Sequence, residues 1–199
     1  NKKLKYLFGP PEGYYWLYCD IVNIELRIWA YEVNSKSLIA EFEAGESVHI
    51  IIAKALYTEM IENMGVKAFK ETKTYTNCKS GTFARIYGGG IKKVEDTYGV
   101  VNACAIIDEK CPEIGAYFKQ LEITMENNME IFDYPCMFTI QGYKLDVPVT
   151  APHSVPSARI QGSAGEVIQD MMVKIERFPL YIEHQCQMSN QIHDSLYIQ

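Results

Sequence analysis

The apolar positions open with an aromatic run, Tyr14-Tyr15-Trp16-Leu17-Tyr18-Cys19-Asp20, behind the turn Gly9-Pro10-Pro11-Glu12-Gly13. That pattern predicts a β-strand that delivers Asp20 at its C-terminal end. From Ile24 to Tyr31 the alternation is lost and helical spacing takes over; it continues through Leu38–Phe42 and through Val48–Met64, a helix capped by Ser47 and stopped by Gly65. Thr76–Tyr87 is another predicted helix, closed by Gly88-Gly89-Gly90, and Ile91–Tyr98 and Pro112–Asn128 add helix with acidic and lysine faces. Strand composition returns over Ile131–Val149, with a turn at Gln141-Gly142. Ala164–Phe178 then reads as an amphipathic helix, and Gln185–Gln199 as a hairpin turning at His193-Asp194. Strand-rich ends around a helical middle predict an α+β fold, with an antiparallel sheet built from both ends of the chain and a mostly helical insertion.

Composition narrows this picture without redirecting it. With 199 residues, of which 48% are hydrophobic, 12% aromatic and 22% charged, the chain buries a real core as one large domain or two interleaved lobes. Its most apolar stretch, Ile50–Ala53 and its neighbours, is interrupted by Lys54, so no segment reaches the ~20 apolar residues of a membrane span and no membrane partner is expected. The six cysteines form no C-x-x-C pair and no metal-ligand spacing, which predicts reduced, buried thiols in a cytosolic setting rather than a zinc site. The chain opens on Asn1, and its first residues hold no apolar core of the signal-peptide kind, as expected of a fragment or a processed start. A net charge of -6 argues against a generally basic nucleic-acid surface, so any such contact is local or shared with further segments.

Two features carry candidate chemistry. Asp20 and Asp194 lie far apart in sequence, yet each sits at the edge of a strand-like run; if both ends form one sheet, they meet. Paired carboxylates at a sheet edge suit hard divalent cations, which prefer oxygen ligands and keep water and phosphate in their remaining positions. Either Asp could instead simply close a turn. On the helix 76–87, Lys79, Phe83 and Tyr87 recur every four residues and share a face, spanning about 12 Å at about 1.5 Å per residue. A nucleoside triphosphate has that length, with the ammonium against phosphates, one ring against the sugar and the second near the base. The plainer alternative is an aromatic stripe packed in the core beside a surface lysine.

These residues also carry a family resemblance. Asp20-Ile-Val-Asn-Ile-Glu25-Leu-Arg27 resembles motif A (D-x-S-x-I-E-L-R) of family A, polymerase I type, DNA polymerases. Lys79-Ser-Gly-Thr-Phe83-Ala-Arg-Ile-Tyr87-Gly88 resembles motif B (K-x-x-x-F-G-x-x-Y-G), and Ile192-His193-Asp194-Ser195 resembles motif C (V-H-D-E). Gln161-Gly162-Ser163-Ala164 is similar to the Q-G-T/S-A stretch ahead of the long palm helix. The four occur in the family's order across nearly the whole chain.

The resemblance implies a palm sheet with a fingers insertion: residues 1–47 as the first part of the palm, 48–130 as the fingers and 131–199 as the rest of the palm. It implies a DNA-directed DNA polymerase that acts on primer-template DNA and dNTPs. Asp20 and Asp194 would hold two Mg²⁺ ions, with the backbone carbonyl of Ile21 as a further ligand. Lys79 would neutralise the phosphates and donate a proton to the leaving group, and His49, within Glu46-Ser47-Val48-His49, would contact the triphosphate unless it is an ordinary helix-start histidine. Glu25 bonded to Tyr87 beneath the sugar would exclude a 2′-hydroxyl. Phe83 would stack on the incoming nucleotide and, lacking a hydroxyl, discriminate against dideoxynucleotides. Gln161, Asn23, Gln191 and Arg27 match polar positions that line the template-primer side or brace the site, though each is equally an ordinary polar residue.

Several positions depart from the motifs. Tyr75 stands where an arginine usually precedes the motif B lysine by four residues, leaving that phosphate contact missing or taken over by a neighbour such as Lys73. Val22, Ala84 and Ser195 replace the motif serine, glycine and glutamate. With only nineteen residues ahead of Asp20, no thumb and no proofreading exonuclease are expected. His-Asp-Ser and Tyr75 suggest a phage or viral replication system, hence a location in the host cytoplasm. His-Asp-Ser also occurs in single-subunit phage-type RNA polymerases, but Glu25 and Phe83 favour the DNA enzyme. A non-catalytic nucleic-acid-binding remnant is the other alternative; the presence of Asp20, Asp194 and Lys79 together speaks against it, since carboxylates beside phosphate would only repel it.

Overall fold

A computed structural model of the chain describes residues 9–45, 47–147 and 154–199. The basic opening, Glu46 and the end of the predicted strand segment at residues 148–149 lie outside the described residues. In chain order the elements are β1 (Leu17–Asp20), α1 (Ile24–Val33), α2 (Lys36–Glu43), α3 (Val48–Leu56), α4 (Thr58–Lys70), α5 (Lys73–Ile86), α6 (Ile91–Tyr98) and α7 (Ala103–Lys110). There follow α8 (Pro112–Phe132), β2 (Cys136–Phe138), β3 (Lys144–Asp146), α9 (Val155–Glu176), α10 (Pro179–Glu183), β4 (Met188–Ile192) and β5 (Ser195–Ile198). They form two compact units. One holds the described residues up to Ile24 together with Ser163–Gln199; the other is Glu25–Gly162. Among the described residues, no helix is long and apolar enough to cross a membrane.

β2 and β3 pair antiparallel in the second unit, while the first contains the three-stranded sheet. Its order is β1-β5-β4, all antiparallel, so the strand from one end of the chain pairs with the hairpin at the other, as strand-rich ends predict. The register sets Leu17 opposite Ile198, Tyr18 opposite Tyr197, Cys19 opposite Leu196 and Asp20 opposite Ser195. Aromatic contacts help hold it: the Tyr197 ring meets Trp16 at 5.4 Å and Tyr18 at 5.1 Å between centroids. Leu196 and Ile198 point the other way and are buried. The β4–β5 hairpin turns on only two residues, His193 and Asp194. A turn this tight requires a positive φ, which His193 supplies at 54°, and the Gln191 amide donates to the His193 carbonyl at 2.7 Å.

The second unit is mostly helical. Ser35, Ser47 and Thr72 cap α2, α3 and α5, each side-chain oxygen accepting a backbone N–H of the first turn. The core face of α5 is Cys78, Gly81, Thr82 and Ile86, all buried. Gly81 is required there by close approach, because a Cβ at this position would lie 2.6 Å from the Tyr98 ring of α6. Arg85 ties α5 to its neighbours, with its guanidinium on Asp108 of α7 at 3.1 Å and over the Phe118 ring of α8 at 4.5 Å. Arg159 of α9 pairs with Glu32 of α1 and donates to the Phe138 carbonyl, joining three segments at one partly buried cation.

Several element boundaries differ from the sequence reading. The predicted strand from Tyr14 is confined to Leu17–Asp20. The predicted helix Val48–Met64 is two helices, interrupted at Tyr57 (φ −131°, ψ 38°). Gly65 (φ 79°, ψ 154°) kinks α4 without ending it, and helix resumes to Lys70 with Phe69 anchored in the core. The helix read from Thr76 starts at Lys73, behind its Thr72 cap, and α8 runs on to Phe132, four residues past its predicted end and two into the segment read as strand. α9 starts at Val155 rather than Ala164, with Pro156 in the first turn, where its missing N–H costs no helical hydrogen bond. The short helices α7 and α10 were not anticipated.

Candidate functional site

In the sheet unit, the register brings Asp20 and Asp194 to the same end of adjacent strands. The Ile21 amide donates to the Asp194 carbonyl at 3.1 Å, and Asp20 pairs with the next residue, Ser195. A three-membered hydroxyl network closes around Asp20. Ser195 Oγ donates to Asp20 Oδ1 at 2.6 Å, the Tyr18 hydroxyl lies 3.2 Å from the same oxygen, and the two hydroxyls are 3.0 Å apart. Asn23, three residues beyond Asp20, turns the chain into α1 with φ 56°, a conformation asparagine tolerates better than most residues. Among the described residues, no group of three or more His, Cys, Asp or Glu side chains forms a metal cage. Placed together by the strand register, the two aspartates offer oxygen donors only. Such a set fits Mg²⁺, which keeps waters and takes phosphate oxygens, and does not fit a closed zinc site.

In the helical unit the stripe on α5 runs beside the core. Residues 79, 83 and 87 each follow a core position (78, 82 and 86) by one, about 100° around the helix, so the stripe flanks the core instead of filling it. Lys79 is exposed, while Phe83 and Tyr87 are half-buried and stack at 5.9 Å with 27° between their planes. The Tyr87 hydroxyl donates to Glu25 Oε2, and Gln161 also hydrogen-bonds that hydroxyl. Burial first, and then the Glu25 carboxylate, push the Tyr87 phenol above its ordinary value, so it stays a proton donor.

His49, near the start of α3, is 2% exposed, and its ring meets Phe83 at 5.3 Å. Burial, and secondarily the positive charge of Lys79, lower its pKa from 6.5 to about 4. It is therefore neutral at pH 7, and among the described residues its Nδ1 has no hydrogen-bond partner. Lys79 leans toward Tyr75, its Nζ 5.9 Å from that ring, and Tyr75 is itself set edge-on to the buried Phe69 at 5.8 Å.

Of the residues singled out from sequence, the helical unit thus gathers Glu25, Tyr87, Gln161, Phe83, His49 and Lys79 into one run of contacts, and the sheet unit gathers Asp20, Ile21 and Asp194. Arg27 sets its guanidinium 4.9 Å over the Phe42 ring. Tyr18 was missed. Its signal was present, because residues two apart on a strand share a face and Tyr18 precedes Asp20 by two.

The family model for DNA polymerase family A matches residues 1–199. DNA polymerase I of Helicobacter pylori (strain ATCC 700392 / 26695) is 28% identical over 191 residues, covering 89% of this chain and 20% of that protein. DNA polymerase I of Rhizobium leguminosarum is 26% identical over 216 residues, covering 98% of this chain and 20% of that protein. The chain therefore spans about a fifth of the length of the curated relatives it matches. Among solved structures, the POL domain of Pol1 from M. smegmatis, in complex with DNA primer-template and dNTP, shares the fold. Its TM-score is 0.73 at 20% identity, over 96% of this chain and 35% of that one.

Proposed function

Because the chain belongs to DNA polymerase family A, we propose that it is the catalytic segment of a DNA-directed DNA polymerase, which transfers dNMP from a dNTP to a primer 3′-hydroxyl on a DNA template. The observation that carries this reading is the β1–β5 register, which sets Asp20 beside Ser195 and so brings two carboxylates from opposite ends of the chain to one sheet edge. Residues 1–47 and 131–199 contribute the palm and residues 48–130 the fingers. Asp20, Asp194 and the Ile21 carbonyl would hold two Mg²⁺ ions, which would supply Lewis-acid chemistry at the 3′-hydroxyl and charge stabilisation at the departing pyrophosphate.

The other steps belong to the helical unit's side chains. Lys79 neutralises triphosphate charge and is the proton source for the leaving group. His49, neutral at pH 7, donates a hydrogen bond to a phosphate oxygen instead of adding charge. Phe83 stacks on the incoming base. The Tyr87–Glu25 pair, braced by Gln161, forms a closed polar floor that leaves a 2′-hydroxyl no room, which favours deoxyribose and hence DNA over RNA synthesis. Asn23 and Arg27 line the template-primer side or brace the site. The work is that of a replication enzyme in the cytoplasm, supported on DNA by segments outside this chain.

The test is Asp194→Asn in the full-length protein. It should abolish Mg²⁺-dependent primer extension while primer-template binding, followed by fluorescence anisotropy, stays within about twofold, because phosphate contacts supply most of that affinity. Full extension by this variant would refute the proposal.

A further inference from the structure

The two hydroxyls on Asp20, from Ser195 and Tyr18, take no part in the proposed reaction steps. Ser195 stands where the family motif has a third carboxylate, and Tyr18 lies on the same strand face as Asp20, two residues earlier. Both hydroxyls approach the same oxygen, Oδ1, at 2.6 and 3.2 Å, so Oδ2 is the oxygen that neither of them occupies. Ser195 has one proton and spends it on Asp20. The Tyr18 proton then serves either Ser195 Oγ at 3.0 Å or Asp20 Oδ1, and both options tighten the same triangle. Ser195 is 7% exposed and fixed by its place in β5; Tyr18 is exposed, and its ring is steadied by contact with Tyr197.

We propose that Ser195 and Tyr18 are positioning residues that lock the Asp20 carboxylate in one rotamer, with Oδ2 presented to a divalent cation. In this chain a pair of neutral donors supports the ligand where the family motif places another negative charge. The proposal rests on the metal-site reading above. It predicts that cation affinity depends on two hydroxyls that touch no cation themselves, as outer groups that orient a ligand commonly do.

The experiment measures Mn²⁺ binding to the full-length protein directly, from the electron paramagnetic resonance signal of free Mn²⁺, alongside the Mg²⁺ concentration that half-saturates primer extension. Ser195→Ala should weaken Mn²⁺ binding about 10-fold and raise the Mg²⁺ requirement in parallel, with thermal unfolding unchanged. Ser195→Thr, which keeps the hydroxyl, should restore both. Tyr18→Phe keeps the ring packing and should weaken binding by a smaller factor, so a readout survives if either Ser195 variant misfolds. Asp194→Asn separates the two levels of the argument. If it loses Mn²⁺ while Ser195→Ala and Tyr18→Phe bind like the unaltered protein, the positioning role is overturned and the metal site stands. If Asp194→Asn itself binds Mn²⁺ undiminished, the metal site falls and the positioning role with it.

Discussion

Acidification from pH 7 to pH 4 should cost the fold about 3 kcal/mol through His49 alone. The imidazole titrates near 6.5 in the unfolded chain and near 4 in the folded one, because it is 2% exposed and faces the positive charge of Lys79. Above pH 6.5 neither state holds the proton, and stability is unaffected. As the pH falls below 6.5 the unfolded chain takes up a proton that the folded one refuses, and stability drops by about 1.4 kcal/mol per decade until the folded group also titrates near 4. Two measurements check this. Histidine-selective ¹³C labelling reports the four imidazoles by NMR; the resonance absent from His49→Gln should have its midpoint near 4. Chemical unfolding at pH 7 and pH 4 should then show that the unaltered protein loses about 3 kcal/mol more than His49→Gln does. Lys79→Gln should raise the His49 midpoint part of the way, since burial is the larger cause and remains. A His49 midpoint near 6.5, or equal losses in both proteins, would refute the reasoning.

Two further outcomes follow from the geometry. Gly81→Ala forces a methyl to within 2.6 Å of the Tyr98 ring and should destabilise by about 1–3 kcal/mol, whereas Gly165→Ala, in α9 with nothing within 4 Å of the new Cβ, should stabilise by about 0.5–1 kcal/mol; thermal midpoints moving in the same direction would contradict this. Glu25→Ala removes the acceptor of the Tyr87 hydroxyl; under the proposed role in sugar selection, ribonucleotide incorporation in primer extension should rise at least about 10-fold. No rise would remove Glu25 from sugar selection.

The sheet was legible in the sequence because its strands are short and aromatic or bounded by clear turns, and because both chain ends share that composition. The α9 start was not. The first turn of that helix contains Pro156, a residue that breaks helix interiors and is harmless only at such a position. The break at Tyr57 was equally hidden, since apolar spacing continues across it and only the backbone angles reveal it. Among candidate site residues, Asp20, Asp194 and the 79/83/87 stripe stood out by motif and period. Environment did not: that His49 is buried against Phe83 beside a lysine, or that Ser195 spends its proton on Asp20, depends on partners 34 and 175 residues away.

The β1–β5 pairing also sets an order of assembly. Its hairpin partner closes over a two-residue turn, within microseconds of being free to do so, while β1 must find β5 across a separation of 175 residues, at a loop-closure cost of roughly 4–5 kcal/mol before any contact repays it. The hairpin therefore forms first and β1 docks onto it late. A nascent chain still lacking β5 carries Asp20 with no Ser195 to face, so the pairing proposed to bind cations arises only when β1 and β5 join.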